Sequence, residues 1–81
     1  MTRWEPSDLL TDFWPVPPTD AEDALVTVSR IPWVASWGYT TETGRLWWTL
    51  KNGDGCDAAH LRIKRHVARS VSEHRAIDWE P

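Results

Sequence analysis

Residues 33–51 read WVASWGYTTETGRLWWTLK and contain the clearest secondary-structure pattern in the chain. Large apolar residues alternate with small or polar ones on both sides of a short polar run, which is the period of two expected for half-buried strands. The polar run, TETG at 41–44, supplies turn residues between the two segments. These features predict a β-hairpin whose two strands bury the same face.

The register of the predicted hairpin follows from a four-residue loop at 41–44. This loop aligns four residue couples: Thr40 with Arg45, Tyr39 with Leu46, Trp37 with Trp48, and Ala35 with Leu50. The alignment places Trp33, Trp37 and Trp48 on the buried face, where they act as structural residues. It leaves Trp47 on the outer face between two cations.

A long amphipathic helix is predicted after the hairpin. The run NGDG at 52–55 breaks the strand, and Asp57 stands where a first-turn acid is favoured. Over residues 58–75, apolar residues recur at helical spacing and form one stripe: Ala59, Ile63, Val67 and Val71. We expect this stripe to cover the tryptophan face of the hairpin.

The segment before the hairpin allows two interpretations. Thr19 and Glu22 have the spacing of a capping box, which predicts a helical turn starting at Asp20. Residues 25–31 then fit either a helical face that ends at Pro32 or a strand. The β-branched run VTV at 26–28 favours the strand.

Residues 1–19 form an acidic arm that ends in the run WPVPP at 14–18, whose prolines impose extended geometry and stop any preceding helix. Before that stop, residues 8–14 (DLLTDFW) predict a short amphipathic helix. As a docking segment, this helix would insert four anchors into a groove of a partner protein: Leu9, Leu10, Phe13 and Trp14. The alternative is that the same side chains pack on the hairpin and complete a thin core.

Charge is unevenly distributed along the chain, although the formal net charge is only −3. Residues 1–23 hold six acidic residues against one arginine, and residues 60–75 hold five basic residues against one glutamate. The two segments either pair with each other or meet separate partners. The basic flank of the predicted helix and the outer sheet face define a candidate nucleic-acid surface: Arg45, Trp47, Lys51, Arg62, Arg65 and Arg69.

The sequence has no pattern typical of an active site or a metal centre. Cys56 and His60 are four residues apart, but no further ligands follow at metal-binding spacing. Ser70 lies one helical turn from His66 without a nucleophile elbow or an oxyanion hole. A single cysteine also excludes an internal disulfide. We therefore expect no catalytic residues, no cofactor and no bound metal.

Together these patterns predict an α+β domain with an antiparallel sheet of two or three strands, covered on one face by a C-terminal helix. Residues 1–19 are the acidic arm, 20–75 the core domain and 76–81 a tail. We expect a small non-enzymatic protein that binds a larger protein as a regulator, adaptor or inhibitor, of a size that phages and mobile elements encode. Nucleic-acid binding is the alternative function. No apolar run is long enough to cross a membrane, so we expect a cytoplasmic location, and self-association stays open.

Overall fold

A computed structural model describes residues 10–51 and 56–79. These residues form a three-stranded antiparallel sheet with helices on one face, which confirms the predicted α+β class. The strands are β1 (Thr11–Pro15), β2 (Val34–Thr40) and β3 (Arg45–Leu50), in the order β1-β3-β2. A 3-10 turn at Pro18–Asp20 leads into helix α1 (Ala21–Ser29), and helix α2 spans Cys56–Glu73. No helix of this described part is long and apolar enough to cross a bilayer.

The hairpin forms with the predicted register over most of its length. Three expected couples are confirmed: Thr40 with Arg45, Tyr39 with Leu46, and Trp37 with Trp48. The fourth couple is wrong, because Leu50 pairs with Val34 and the register shifts between Val34 and Ser36. The extra residue is a β-bulge, which directs Val34 into the core at 4% exposure and leaves Ala35 exposed.

Residues 11–15 form strand β1, so the helix predicted for 8–14 is wrong over this part, while residues 8 and 9 lie outside the described residues. Strand β1 pairs with β3, where Phe13 lies opposite Trp47 and Trp14 opposite Leu46. Ladder bonds along an existing strand stabilise this segment, whereas an isolated helix of seven residues is unstable in water. Because neighbours in a strand point to opposite faces, Phe13 is 44% exposed while Trp14 packs against the core.

Residues 21–29 form helix α1, so the strand favoured for 25–31 is wrong. The helix begins directly after Asp20, close to the predicted start, but the Asp20 carboxylate makes no capping bond. Ala24, Thr27 and Val28 lie at helical spacing and are fully buried. Packing of this face against α2 and β2 outweighs the weak helix propensity of the β-branched residues.

The core lies between the sheet and the two helices and has Trp48 at its centre. Trp48 is fully buried, and its indole N–H donates to Nδ1 of the buried His60 at 2.9 Å. The apolar stripe predicted for α2 is confirmed, because Ile63 and Val67 are fully buried and its end members pack against the core. Trp37 departs from its predicted structural role: it is 41% exposed on edge strand β2.

The chain after α2 turns back and packs on α1. His74 adopts a left-handed conformation with φ 55°, and the amides of His74 and Arg75 bond to Val71 and Ser70 as in a Schellman motif. Beyond this turn, Ile77 is 3% exposed, and its N–H donates to Thr27 Oγ1 at 2.9 Å. The turn and this bond return the C-terminal segment to the protein body.

Candidate functional site

The first candidate surface is the sheet face opposite the helices, which we call the outer face. Side chains alternate along β3, so that Trp48 points into the core and Trp47 points outward. Across the strands, Trp47 lies opposite Phe13 of β1 and Gly38 of β2. Phe13, Trp47 and Gly38 therefore form one row across the three strands of the outer face.

Trp47 is seated over the backbone of β2 at Gly38. A Cβ atom at position 38 would stand 2.5 Å from Cζ2 and 2.7 Å from Cε2 of the Trp47 indole. No side chain fits at that distance, so Gly38 allows the ring to approach the strand closely. This contact holds Trp47 half-buried on the outer face before any ligand arrives.

Phe13 and Arg45 also lie on the outer face, where they contact each other. The Arg45 guanidinium carbon lies 4.4 Å from the centroid of the Phe13 ring, which is a cation–π contact. Farther along the same face, the hydroxyl groups of Thr11 and Thr49 are 3.1 Å apart and bonded. We call Phe13, Arg45 and Trp47 the outer patch, and all three belong to residue types enriched at the centres of protein interfaces.

The free edge of β1 is protected at the position beside the outer patch. The Phe13 N–H donates to Asp12 Oδ1 at 2.8 Å, and Asp12 Oδ2 lies 2.9 Å from Lys64 Nζ on α2. A charged side chain that occupies a strand edge blocks pairing with another chain. These contacts disfavour the pairing of a further strand with β1 at Phe13.

The acidic N-terminal segment and the basic helix contact each other at two points. Asp12 pairs with Lys64, and Oδ1 of the buried Asp20 lies 2.9 Å from Nδ1 of His74. These contacts support pairing between the two segments within the chain, one of the two interpretations of the charge distribution. The Asp20 bond also holds His74 at the turn after α2.

The contact between His74 and Asp20 is expected to make the stability of the protein depend on pH. The hydrogen bond and the charge of Asp20 raise the pKa of His74 above the ordinary value, which is about 6.5. A raised folded-state pKa gives a stability contribution that is complete below pH 6.5 and is lost as pH rises through the folded pKa. We expect the free energy of unfolding to fall slightly over this window, because His74 is largely exposed.

Urea unfolding from about pH 6 to pH 9 checks this expectation. The His74→Gln variant keeps a polar side chain but cannot be protonated, so it should lack this part of the pH dependence. Equal pH dependence in both proteins would show that protonation of His74 does not contribute to stability over this range.

The second candidate surface is an open pocket of about 330 Å³ on one flank of α2, which we call the basic pocket. It is lined by Arg62, Arg65, His66, Arg69 and Trp79. The Arg62 guanidinium lies 4.8 Å from the Trp79 ring centroid, and the His66 ring meets Trp79 edge-on at 5.1 Å. Trp79 thus forms an aromatic wall under a row of cations.

Two acidic residues contact side chains that line the basic pocket. Glu73 accepts from Arg69 at 2.6 Å and from Arg75 at 2.8 Å, and these bonds, that of Arg69 first, lower the pKa of Glu73. Asp78 pairs with Arg30, while its backbone oxygen lies 3.0 Å from His66 Nε2. Across the described residues, no carboxylate lies within ion-pair distance of Arg62 or Arg65.

The structure divides the predicted nucleic-acid surface. Arg62, Arg65 and Arg69 meet in the basic pocket on the helix side, whereas Arg45 and Trp47 lie on the outer face. Lys51 directly follows β3 and is exposed. Because the sheet separates these groups, they form two candidate surfaces instead of one.

The predicted protein-docking residues are also separated. Phe13 belongs to the outer patch, Leu10 and Trp14 pack against the core, and Leu9 lies outside the described residues. Sequence reasoning did not assign Gly38 or Trp79 to a site. The sequence did contain an indication for Gly38. A glycine within a predicted strand often marks a place where another group approaches the backbone closely.

Comparison with protein-family models, curated proteins and solved structures finds no match to this chain. Within residues 10–51 and 56–79, no group of three or more His, Cys, Asp or Glu side chains could hold a metal ion. The functional interpretation therefore rests on the outer patch and the basic pocket.

Proposed function

We propose that this protein is a non-enzymatic binding module that docks a larger protein on its outer face and acts as a regulator, adaptor or inhibitor. The observation that supports this proposal is the arrangement of the outer patch. Trp47 is seated on Gly38, next to a half-exposed Phe13 whose ring is covered by the Arg45 guanidinium. Trp, Tyr and Arg are enriched among the few residues that dominate binding energy at protein interfaces, and Phe is enriched at interfaces generally.

The outer-patch side chains make close contacts within the chain itself. Gly38 fixes the position of Trp47, and the cation–π contact restrains both Phe13 and Arg45. Immobilising a long side chain on binding costs about 0.5–1.5 kcal/mol. A patch that is already restrained avoids much of this cost, which makes a surface of modest size useful for docking.

The charges on the outer face define the partner chemistry. Arg45 lies on this face, and Lys51 follows the same strand at its end. A guanidinium that stacks on a ring still presents its N–H donors to a carboxylate. The matching partner surface is apolar at its centre, where it meets Phe13 and Trp47, and has a carboxylate at its rim.

Nucleic acid fits this face less well than protein does. Two phosphate contacts, from Arg45 and Lys51, would give a salt slope of only about −1.4 on a single strand. The net charge of −3 further opposes a polyanion. Binding driven by aromatic burial is the better match to the outer patch.

Affinity capture from the native cell lysate, with and without nuclease, tests the proposal. We expect a protein that is captured by the wild-type chain after nuclease treatment, and we expect Phe13→Ala and Arg45→Ala each to weaken its binding about tenfold or more. Gly38→Ala leaves every aromatic and charged residue in place but displaces Trp47, so it should weaken capture as well.

Trp37→Ala is the matched control, because it removes an exposed tryptophan from the opposite face of the same sheet. Circular dichroism of each variant establishes that it is folded. Capture that survives all three outer-patch substitutions, or that disappears with nuclease, would overturn the proposal.

A further inference from the structure

The basic pocket brings three arginine side chains and Trp79 together at a distance from the outer patch. Its helical members occupy positions i, i+3, i+4 and i+7, which fall within roughly 100° of arc on α2. Arg62 and Arg69 are about 10 Å apart along the helix axis, with Arg65 between them. The row is therefore short enough for neighbouring guanidinium groups to meet one compact anion.

Two cations of the row, Arg65 and Arg62, have N–H donors available for a ligand. Arg65 is exposed and lacks a carboxylate partner among the described residues. The Arg62 guanidinium carbon lies over the Trp79 ring, and a guanidinium in such a contact still has N–H donors for hydrogen bonds. Two planar forks side by side match the oxygen atoms of a tetrahedral anion.

The wall of the pocket is fixed by contacts of its own. His66 Nε2 donates to the Asp78 backbone oxygen, and Trp79 also packs edge-on against Trp33 at 5.3 Å. These contacts position the ring below Arg62. An anion thus meets a shaped surface rather than a set of unrestrained side chains.

We propose that the basic pocket binds a phosphate monoester group, held by the guanidinium groups of Arg62 and Arg65 above Trp79. A monoester has a charge of about −1.5 to −2 at neutral pH and three strong acceptor oxygens. The Glu73 carboxylate bonds to Arg69 at the C-terminal end of the row, where its negative charge opposes an extended polyanion. A compact dianion at Arg62 and Arg65 avoids the Glu73 carboxylate, so we expect the pocket to prefer a single phosphate group to a nucleic-acid strand.

Titration of the full-length ¹⁵N-labelled chain tests this site. The probes are inorganic phosphate, O-phosphotyrosine, dimethyl phosphate and an oligothymidylate, all at one ionic strength. We expect saturable shifts of the Trp79 indole and the side-chain Nε signals of Arg62 and Arg65 with the first two probes. Dimethyl phosphate should bind at least several-fold more weakly because it has a single negative charge.

Substitutions separate specific binding from general attraction. Arg65→Gln should weaken binding of the monoester about tenfold or more, since charge-assisted hydrogen bonds are lost. Arg45→Gln removes the same charge from the outer face and should leave binding within about twofold. Glu73→Gln removes a repelling carboxylate and should strengthen binding.

The outcomes distinguish the sources of the phosphate group. If phosphotyrosine binds more tightly than inorganic phosphate, the pocket also contacts the group that bears the phosphate. If the two bind equally, the phosphate group alone is sufficient for binding. Shifts that do not saturate, equal effects of Arg65→Gln and Arg45→Gln, or tighter binding of the oligothymidylate per phosphate would each overturn the proposal. None of these results depends on the outer patch.

Discussion

Replacing Trp48 with alanine is expected to remove most of the stability of this protein. The side chain is fully buried at the centre of the core, and its indole N–H is bonded to His60. Truncation of a buried tryptophan or phenylalanine to alanine costs about 3–5 kcal/mol, and the total stability expected for a domain of this length is about 4–12 kcal/mol. In urea or thermal unfolding, Trp48→Ala should unfold at a much lower urea concentration or temperature than the wild-type protein. In the extreme case it should show no cooperative transition.

Two further variants make the interpretation specific. Trp48→Phe keeps an aromatic ring in the core but removes the N–H donor, so the lost hydrogen bond should cost about 1–3 kcal/mol in addition to the cost of the smaller ring. Trp37→Ala lies at the exposed edge of the sheet and should cost about 1 kcal/mol or less. Comparable losses for Trp37→Ala and Trp48→Ala would contradict the division of the two residues between edge and core.

This pair of tryptophans shows how far the sequence pattern reaches. Alternation correctly placed Trp37 and Trp48 as cross-strand partners on one face. Their different burial depends on strand order, because β3 is central and β2 is an edge. That order is decided by the pairing of β1 with β3, a contact between distant parts of the chain that local periodicity does not encode.

The segment that forms β1 also shows why short apolar runs are ambiguous. Adjacent apolar residues such as Phe13 and Trp14 satisfy a helical face, yet they equally suit a strand that uses both of its faces. In the structure Trp14 packs inward and Phe13 belongs to the outer patch. A residue pattern that favours a helix here thus reflects two separate roles, one in the core and one on the surface.

The basic pocket was only partly predictable. Helical periodicity alone grouped Arg62, Arg65 and Arg69, because α2 is long and strongly patterned. Trp79 joins them through the fold of the C-terminal segment, whose course depends on the turn at His74 and the bond between Ile77 and Thr27. No spacing rule links residue 79 to these arginines.

Thr27→Val is expected to detach the C-terminal segment from α1. Thr27 Oγ1 is fully buried, accepts from the Ile77 N–H at 2.9 Å, and lies 3.1 Å from Ser70 Oγ. Valine has the same shape without the hydroxyl group, so a buried N–H loses its acceptor at a cost of about 1–3 kcal/mol. Thr27→Ser keeps the acceptor and loses only a methyl group, so it should retain the attachment.

Hydrogen exchange of the Ile77 amide measures this effect directly. We expect much faster exchange in Thr27→Val than in Thr27→Ser, together with a lower free energy of unfolding. If the Ile77 amide stays equally protected in both variants, the hydroxyl group of Thr27 does not anchor the segment.

The same substitution connects the core to the basic pocket. Trp79 is two residues beyond Ile77, so release of Ile77 should free the ring from Trp33 and from Arg62. Thr27→Val should therefore broaden the Trp79 indole signal and weaken phosphate binding while lowering stability, although the cationic side chains are all retained. Arg65→Gln should weaken phosphate binding with stability unchanged. Arg65 is exposed, and no carboxylate of the described residues forms an ion pair with it. The two variants together separate the residue that positions the pocket wall from a residue that contacts the ligand.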